Sequence, residues 1–418
     1  MKNYHLKKKC ALCNKKKLNP YLFLPAVPVG EQLHFNRKKI YRVKMDYYQC
    51  LSCGHVQLKY IPNLKLLWKS NYTFIPSQNP LLIDHFLKTI IYLKKKKYLR
   101  KSNSIFEIGA NDGLFLNLLK KNCTIDKLIG IDPAKIPVKF ANDKYKIKII
   151  LDYFNERNSL KILKKYKKFN LIIANNCFAH MENLNDFFRG VVNLLSNSGY
   201  FVFETSSLLD VTRKLLIGTM IHEHMSVHSV QCLSLFFNKY NMEIVDLIHN
   251  EKIQGGVFIG IAKFINKHNI INPKVEDMIT KEKKEKLEKY NKLMTFNTKF
   301  HFKLKRFSQI IHSKIKDNKI IAIGASRSAG IILKLLKLES KIKYFLDSDP
   351  NKINKLFPLG YIAIKDMGDE TNYLNTKFFI ITGWAQTNKI IFHLKKKCKI
   401  KNFYIIKIYP TMEIVKVA

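Results

Sequence analysis

The sequence predicts an α/β protein with a small metal-held N-terminal domain, a central doubly wound sheet and a second Rossmann-like α/β domain at the C-terminus. Three observations carry this. Two Cys-x-x-Cys pairs fall within the first 53 residues. An apolar run ending in Ile105-Phe106 enters the Gly-rich turn Glu107-Ile-Gly-Ala-Asn-Asp-Gly113 and then a segment with Leu114, Phe115, Leu118 and Leu119 on successive turns. The same strand, turn and helix order recurs where Lys319-Ile-Ile-Ala-Ile323 enters Gly324-Ala-Ser-Arg-Ser-Ala-Gly330.

The chain of 418 residues is long enough for two or three domains with cores of their own. Hydrophobic content of 47% and aromatic content of 12% exclude a disordered protein. No apolar run reaches the roughly 18 residues of a membrane span, and the charged start Met1–Lys8 has no apolar core of a secretory leader, so a cytoplasmic protein is expected. The formal net charge of +43 raises a nucleic-acid or anionic-membrane partner. Against it, only eight of the 74 basic residues are Arg, the residue suited to bidentate phosphate contacts, and the lysines are spread in short runs at 7–9, 15–17, 94–97 and 395–397. Lys, Asn, Ile, Phe and Tyr share A/T-rich codons, so composition accounts for the charge. Neither nucleic acid nor membrane is the expected partner, though a positive field suits a phosphorylated small substrate.

The elements follow in order. Residues 1–65 hold Cys10, Cys13, Cys50 and Cys53 around a Pro-rich stretch, 20–28. A segment this short needs a staple, and two Cys-x-x-Cys knuckles, the second followed by Gly54, have the spacing for a closed tetrahedral Zn²⁺ site of structural type. The next unit, 66–265, alternates strand and helix patterns, with strand candidates at 104–108, 128–132, 169–174, 199–204, 242–248 and 256–262. The short polar loop before 256 makes the last two an antiparallel pair. Residues 266–418 begin with Lys/Glu-rich helical periodicity over 274–317, followed by strands at 319–323, 342–347 and 378–382.

Glu107, Gly109 and Gly113 form acidic-x-Gly-x-x-x-Gly rather than the dinucleotide Gly-x-Gly-x-x-Gly pattern. S-adenosylmethionine (SAM), with its ammonium and sulfonium, suits a carboxylate near this loop better than a pyrophosphate does. The glycines are expected to permit close approach of the ligand, and Asn111 and Asp112 complete the loop. Asp132, at the end of the second strand, is placed to accept from ribose hydroxyls; its alternative is to cap the turn at Pro133. Asp152 and Phe154 are candidates for a wall beside the adenine, with simple core packing as the alternative for the aromatic. Asn175, Asn176 and His180 follow the 169–174 strand at the carboxyl edge, where ligand crevices open; His180 reads equally as a capping or core histidine. His222-Glu223-His224, with His228 nearby, is the densest titratable group. A general base with a carboxylate beside it, a second metal site and a plain polar loop all remain open for it.

In order, Cys10/Cys13 with Cys50-Leu-Ser-Cys53-Gly-His-Val-Gln, Glu107–Gly113, Gly130-Ile-Asp132-Pro, Ala174–His180 and His222-Glu-His224 resemble the sugar C-methyltransferases that make branched-chain deoxysugars. The resemblance covers nearly the whole chain. It implies a zinc domain, a class I SAM methyltransferase sheet and a C-terminal Rossmann-like domain that helps hold a nucleoside-diphosphate (NDP) sugar, in a monomer or weak dimer. It further implies His224 as the base that enolises a 4-keto sugar at C3, Glu223 as its orienting group with His222 beside it, and Asn176 and His180 as hydrogen-bond partners of the enolate oxygen. The chain departs from the family at Ile221, where Tyr is usual, at Gln254-Gly-Gly-Val-Phe258, where His-Gly-Gly-Ser with a later Arg is usual, and in the spacing of the 324–330 loop. A zinc-ribbon RNA methyltransferase, prompted by the charge, and a non-catalytic SAM- or sugar-binding protein, prompted by the departures, are the alternatives.

Overall fold

Strands β1 (Asn103–Ile108), β2 (Ile125–Asp132), β3 (Lys148–Leu151), β4 (Phe169–Ala174), β5 (Leu195–Ser206), β6 (Met242–Asn250) and β7 (Val257–Phe264) form one sheet in the order β3-β2-β1-β4-β5-β7-β6. All neighbours are parallel except β7, which runs antiparallel to both β5 and β6. The coordinates are a computed structural model and describe residues 3–68, 72, 74–99, 103–374, 376–400 and 402–417. β1 and β4 are buried along nearly their whole length, which is why they read as continuous apolar runs rather than alternating ones. The chain reverses its direction of winding between β1 and β4, and there a crevice opens at the carboxyl edge.

The expected strands and the antiparallel closing pair are present. β3 is the strand that the sequence reading does not contain. It is four residues at the sheet edge, too short to set a period of its own. The helix Leu184–Leu194 begins where the Asn183 side chain accepts from the Asp186 N–H, and it buries Phe187 and Phe188 on the sheet. Phe178, Phe201 and Phe203 complete this aromatic layer, all under 2% exposed.

A second sheet comprises β8 (Ile320–Ile323), β9 (Ile342–Asp347), β10 (Leu356–Phe357), β11 (Ile362–Asp366), β12 (Phe378–Ile381), β13 (Phe403–Lys407) and β14 (Glu413–Val417), in the order β10-β11-β9-β8-β12-β13-β14. Its inner pairs are parallel. The sequence indicated β8, β9 and β12; the remaining four lie to either side of them. Helices Pro273–Lys284 and Tyr290–Ile315 precede this sheet, as the Lys/Glu periodicity predicts.

The N-terminal strands Leu18–Leu22, Tyr47–Cys50 and Val56–Leu58 form a sheet in that order, and Val56–Leu58 pairs with Ser226–Val227, so its fourth strand comes from just past His224. Helix Tyr290–Ile315 covers them: the Tyr290 hydroxyl donates to the Pro20 carbonyl at 2.7 Å, and Phe296 lies 6.4 Å from Tyr21. One apolar cluster therefore runs from Tyr21 and Tyr47 through Phe178 and Phe236 to Phe300 and Phe345. The short N-terminal segment gains from its neighbours the burial that its length denies it. Among the described residues no helix is long and apolar enough to cross a membrane.

Candidate active site

A cavity of about 1180 Å³ opens where the carboxyl edges of the two seven-stranded sheets face each other. The central sheet lines it with Glu107–Asp112, Asp132, Asn175, Asn176, His180 and His224; the C-terminal sheet contributes Gly324, Arg327, Asp347 and Trp384. Phe154 also borders it. Gly113, Asp152, His222 and Glu223 do not.

Glu107 ends β1 fully buried, and its Oε1 accepts from Asn175 Nδ2 at 3.1 Å. Its Oε2 has no partner among the described residues, nor do the side-chain oxygens of Asn111 and Asn175. Burial pushes the Glu107 carboxyl well above the usual carboxylate range. These unpaired acceptors leave uncompensated negative polarity just beneath the cavity wall, which favours a ligand carrying positive charge, as the amino acid end of SAM does. Asp132 accepts the Asn111 N–H at 3.0 Å on one oxygen and the Ala134 N–H at 2.8 Å on the other. Burial pushes its carboxyl up to about 6 in spite of both bonds.

The loop glycines have a different reason from the one expected. A Cβ at Gly109 (φ +72°) would stand 2.6 Å from Cys177 Cβ, and one at Gly113 (φ +72°) would stand 3.0 Å from Ala141 Cβ. They admit the protein's own neighbouring segments and the left-handed backbone, and Gly109 also lines the cavity. Asp112 accepts from the Ser77 N–H at 3.0 Å and the Leu114 N–H at 3.3 Å, fastening the loop to Ser77 and to the first residue of helix Leu114–Asn122. Asp152 is exposed and turned to the Tyr153 N–H at 2.8 Å; the cavity wall there is Tyr153. Phe154 packs 6.0 Å from Phe106 and 5.3 Å from Phe187, in the core with one edge on the cavity.

His224 and His180 come together across 44 positions of sequence, ring centroids 5.2 Å apart and planes at 21°. Trp68 lies 5.2 Å from the His180 ring as well. His224 Nδ1 is 2.7 Å from the Thr219 carbonyl, which only accepts, so Nδ1 carries the proton and Nε2 the lone pair. Burial pushes the His224 ring down to about 4 and His180 well below its ordinary value, keeping both neutral near pH 7. His222 turns away to the Val43 carbonyl at 3.0 Å. His228 lies buried between Phe178 and His55, at 4.8 and 5.3 Å. The histidines around Glu223 thus do not converge as metal ligands, and they are absent from the potential metal groups among the described residues.

Glu223 is buried but does not serve His224. Its Oε1 lies 3.3 Å from Arg327 Nε, without hydrogen-bond alignment. The Arg327 guanidinium is 4.4 Å from the Tyr72 ring centroid and 3.7 Å from Glu31. Sequence reasoning missed Arg327, although one of only eight arginines inside a Gly-rich loop was a usable signal. The same loop shows the Asp132 arrangement again: Asp347, ending β9, accepts from the Ala325 N–H at 2.8 Å and the Asp349 N–H at 2.9 Å. Here Lys352 stands 3.7 Å away and neutralises the carboxylate, so this half of the cavity does not call for a cation.

Cys10, Cys13, Cys50 and Cys53 meet away from the cavity, their ligand atoms all within 4.8 Å of one another. Cys10 to Cys53 is 3.6 Å and Cys13 to Cys50 is 3.5 Å between sulfurs. Tetrahedral Zn–S bonds of about 2.3 Å separate sulfurs by about 3.8 Å, so the quartet fits zinc. The Gly54 N–H returns to the Cys50 carbonyl at 2.8 Å in the second knuckle.

Residues 80–247 match the family described as methyltransferase domain, and residues 252–408 the C-methyltransferase C-terminal domain. The chain is 22% identical over 349 residues to C-methyltransferase NovU of Streptomyces niveus, covering 83% of this chain and 82% of that protein. A SAM-dependent methyltransferase structure from Anabaena variabilis is similar at 15% identity and a TM-score of 0.35, over 42% of this chain and 84% of its own. One from Clostridium acetobutylicum is similar at 12% and 0.35, over 44% and 92%.

Proposed function

We propose that this chain, whose two halves match methyltransferase and C-methyltransferase C-terminal family models, is a SAM-dependent C-methyltransferase that methylates the carbon beside the keto group of an NDP-linked keto deoxysugar. The observation that carries the reading is His224, whose tautomer leaves a lone pair on Nε2 in the wall of the cavity that also holds the Glu107–Asp112 loop. Nε2 takes the acidic proton next to the ketone, and the C–H electron pair moves into the enolate. His180, stacked on His224 and with no hydrogen-bond partner for its ring nitrogens among the described residues, donates to the enolate oxygen. Bound SAM supplies the electrophilic methyl that the enolate carbon receives. Glu107, Asn111 and Asn175 hold its amino acid end and Asp132 its ribose; Asp112 and Gly113 shape the turn.

Glu223 acts through Arg327 rather than through His224, joining the catalytic loop to the C-terminal region. The Asp347 half of the cavity, with Lys352 and Lys389, suits the anionic nucleotide of the acceptor. The cysteine quartet holds a structural zinc in residues 1–65; residues 66–265 bind SAM and 266–418 help bind the sugar nucleotide.

Incubation with SAM and a panel of NDP-4-keto sugars, read by mass, tests the reading. A gain of one methyl on one of them is expected. No gain on any, together with no deuterium uptake beside the ketone in D₂O, removes it.

A further inference from the structure

Asn176 takes a left-handed backbone conformation, φ +50°, directly after β4. Its Nδ2 donates to Glu204 Oε1. Glu204, on β5, is 0% exposed, and its Oε2 lies 2.6 Å from Nε2 of His85, itself 3% exposed on the helix Pro80–Lys95. His85 Nδ1 faces Asn250 Nδ2 at 3.3 Å, and Asn250 Oδ1 is taken by the Lys252 N–H at 3.1 Å. That last bond fixes the direction of the whole chain: Asn250 donates to His85 Nδ1, so His85 carries its proton on Nε2 and donates to Glu204. Glu204 therefore collects two donors, one from His85 and one from Asn176.

The consequence falls on Asn176. Turning its amide over would set Oδ1 against a buried carboxylate oxygen, so the amide is locked. Among the described residues Oδ1 has no partner, it is not one of the sealed polar atoms, and Asn176 borders the cavity. An acceptor is presented there, which differs from the donor role that the sequence suggested. Its neighbours fix where it acts. Asn175 is bonded to Glu107, Cys177 Sγ donates to the Ile108 carbonyl at 3.0 Å, and His180 is stacked on His224. Asn176 thus stands between the SAM loop and the base.

We infer that Glu204, backed by His85, is a positioning residue that holds the Asn176 carbonyl oxygen toward the positively polarised methyl-sulfonium of SAM. A carbonyl oxygen favours that group by charge and by weak C–H···O contact. S-adenosylhomocysteine (SAH), lacking both the methyl and the charge, gains nothing from it. The inference rests on the cavity being the SAM site and is independent of the acceptor.

The test is the ratio of SAM to SAH affinity, by calorimetry, in the wild type, Glu204→Gln, Asn176→Ala and the double variant. Gln at 204 can donate to Asn176 Oδ1 and lets the amide turn. The preference for SAM over SAH is expected to fall about 2- to 5-fold in each single variant and no further in the double. Equal weakening of both ligands, an unchanged ratio, or additive losses overturn the inference. If Glu204→Gln does not fold, His85→Leu replaces it, removes the second donor and is expected to lower the same ratio. SAM binding that Glu107→Gln leaves unaffected would instead place SAM elsewhere, a failure of the site and not of Glu204 alone.

Discussion

His224 Nδ1 lies 2.7 Å from the carbonyl oxygen of Thr219, and this bond, not Glu223, decides which ring nitrogen is basic. Thr219 belongs to the turn Ile217–Thr219, whose Gly218 packs against Trp384 of the C-terminal region. The His224 ring is therefore oriented by a backbone that the second sheet helps to place.

Replacing His224 by Ala should lower turnover by roughly 10²-fold or more and abolish deuterium uptake beside the ketone, while the SAM dissociation constant stays within about twofold. Calorimetry and D₂O exchange separate the two effects. Exchange at the wild-type rate in His224→Ala would assign the base elsewhere. Glu223→Gln should leave the exchange-active tautomer intact, because Thr219 holds it.

SAM binding should release a proton. Burial raises the free Glu107 carboxyl well above its ordinary value, which favours its protonated form before SAM arrives. A cationic ligand favours the ionised form and pulls the value down, so the proton leaves on binding. Calorimetry in buffers of different ionisation enthalpy at pH 7 should find up to one proton released, and none in Glu107→Gln. That variant should also bind SAM about 10-fold or more weakly, the worth of a hydrogen bond to a charged group.

Gly218→Ala should destabilise the chain by about 1–3 kcal/mol, as overpacking does. A Cβ there would fall 2.1 Å from the Trp384 indole. Urea unfolding gives the magnitude. Combining it with Trp384→Leu should cost less than the two separate losses added together; simple additivity would mean that the clash is relieved some other way.

The purified protein should carry one zinc per chain, and cobalt substituted for it should show thiolate charge-transfer bands. Cys13→Ser should lower the metal content and the melting temperature together. Because Ser226–Val227 pairs with the N-terminal sheet, loss of the metal should also weaken His224 chemistry without touching any group in the cavity.

Much of the architecture was legible because local pattern and burial agreed. β1 and β8 are apolar runs leading into Gly-rich turns, and both ends of the motif can be read in one short window; β4 is a continuous apolar run ending in polar Asn175-Asn176. β3, β10, β11, β13 and β14 were not legible; of these, β3, β10 and β14 are edge strands, which draw their order from a neighbour rather than from a period of their own. The cysteine quartet was readable because ligand spacing is a local property. In the candidate site, Glu107, Asp132, Asn176 and His180 were identified from position at or just after a strand end, and His224 from the dense His222-Glu223-His224 group and the family resemblance; all five border one cavity. His222 and Asp152 were named by adjacency alone, and each side chain turns the other way.

The sequence by itself determined the strand-turn-helix units, the thiol quartet and the residue types offered at the carboxyl edge, because each depends on neighbours within a few positions. Only the tertiary structure decided which partners those residues take. Thr219 rather than Glu223 orients His224, Arg327 receives Glu223 from a loop of the other sheet, and Glu204 with His85 locks Asn176. The reason is physical: a buried polar group must find a partner within about 3 Å. Which group lies there depends on how the two sheets and the N-terminal strands pack together, not on distance along the chain.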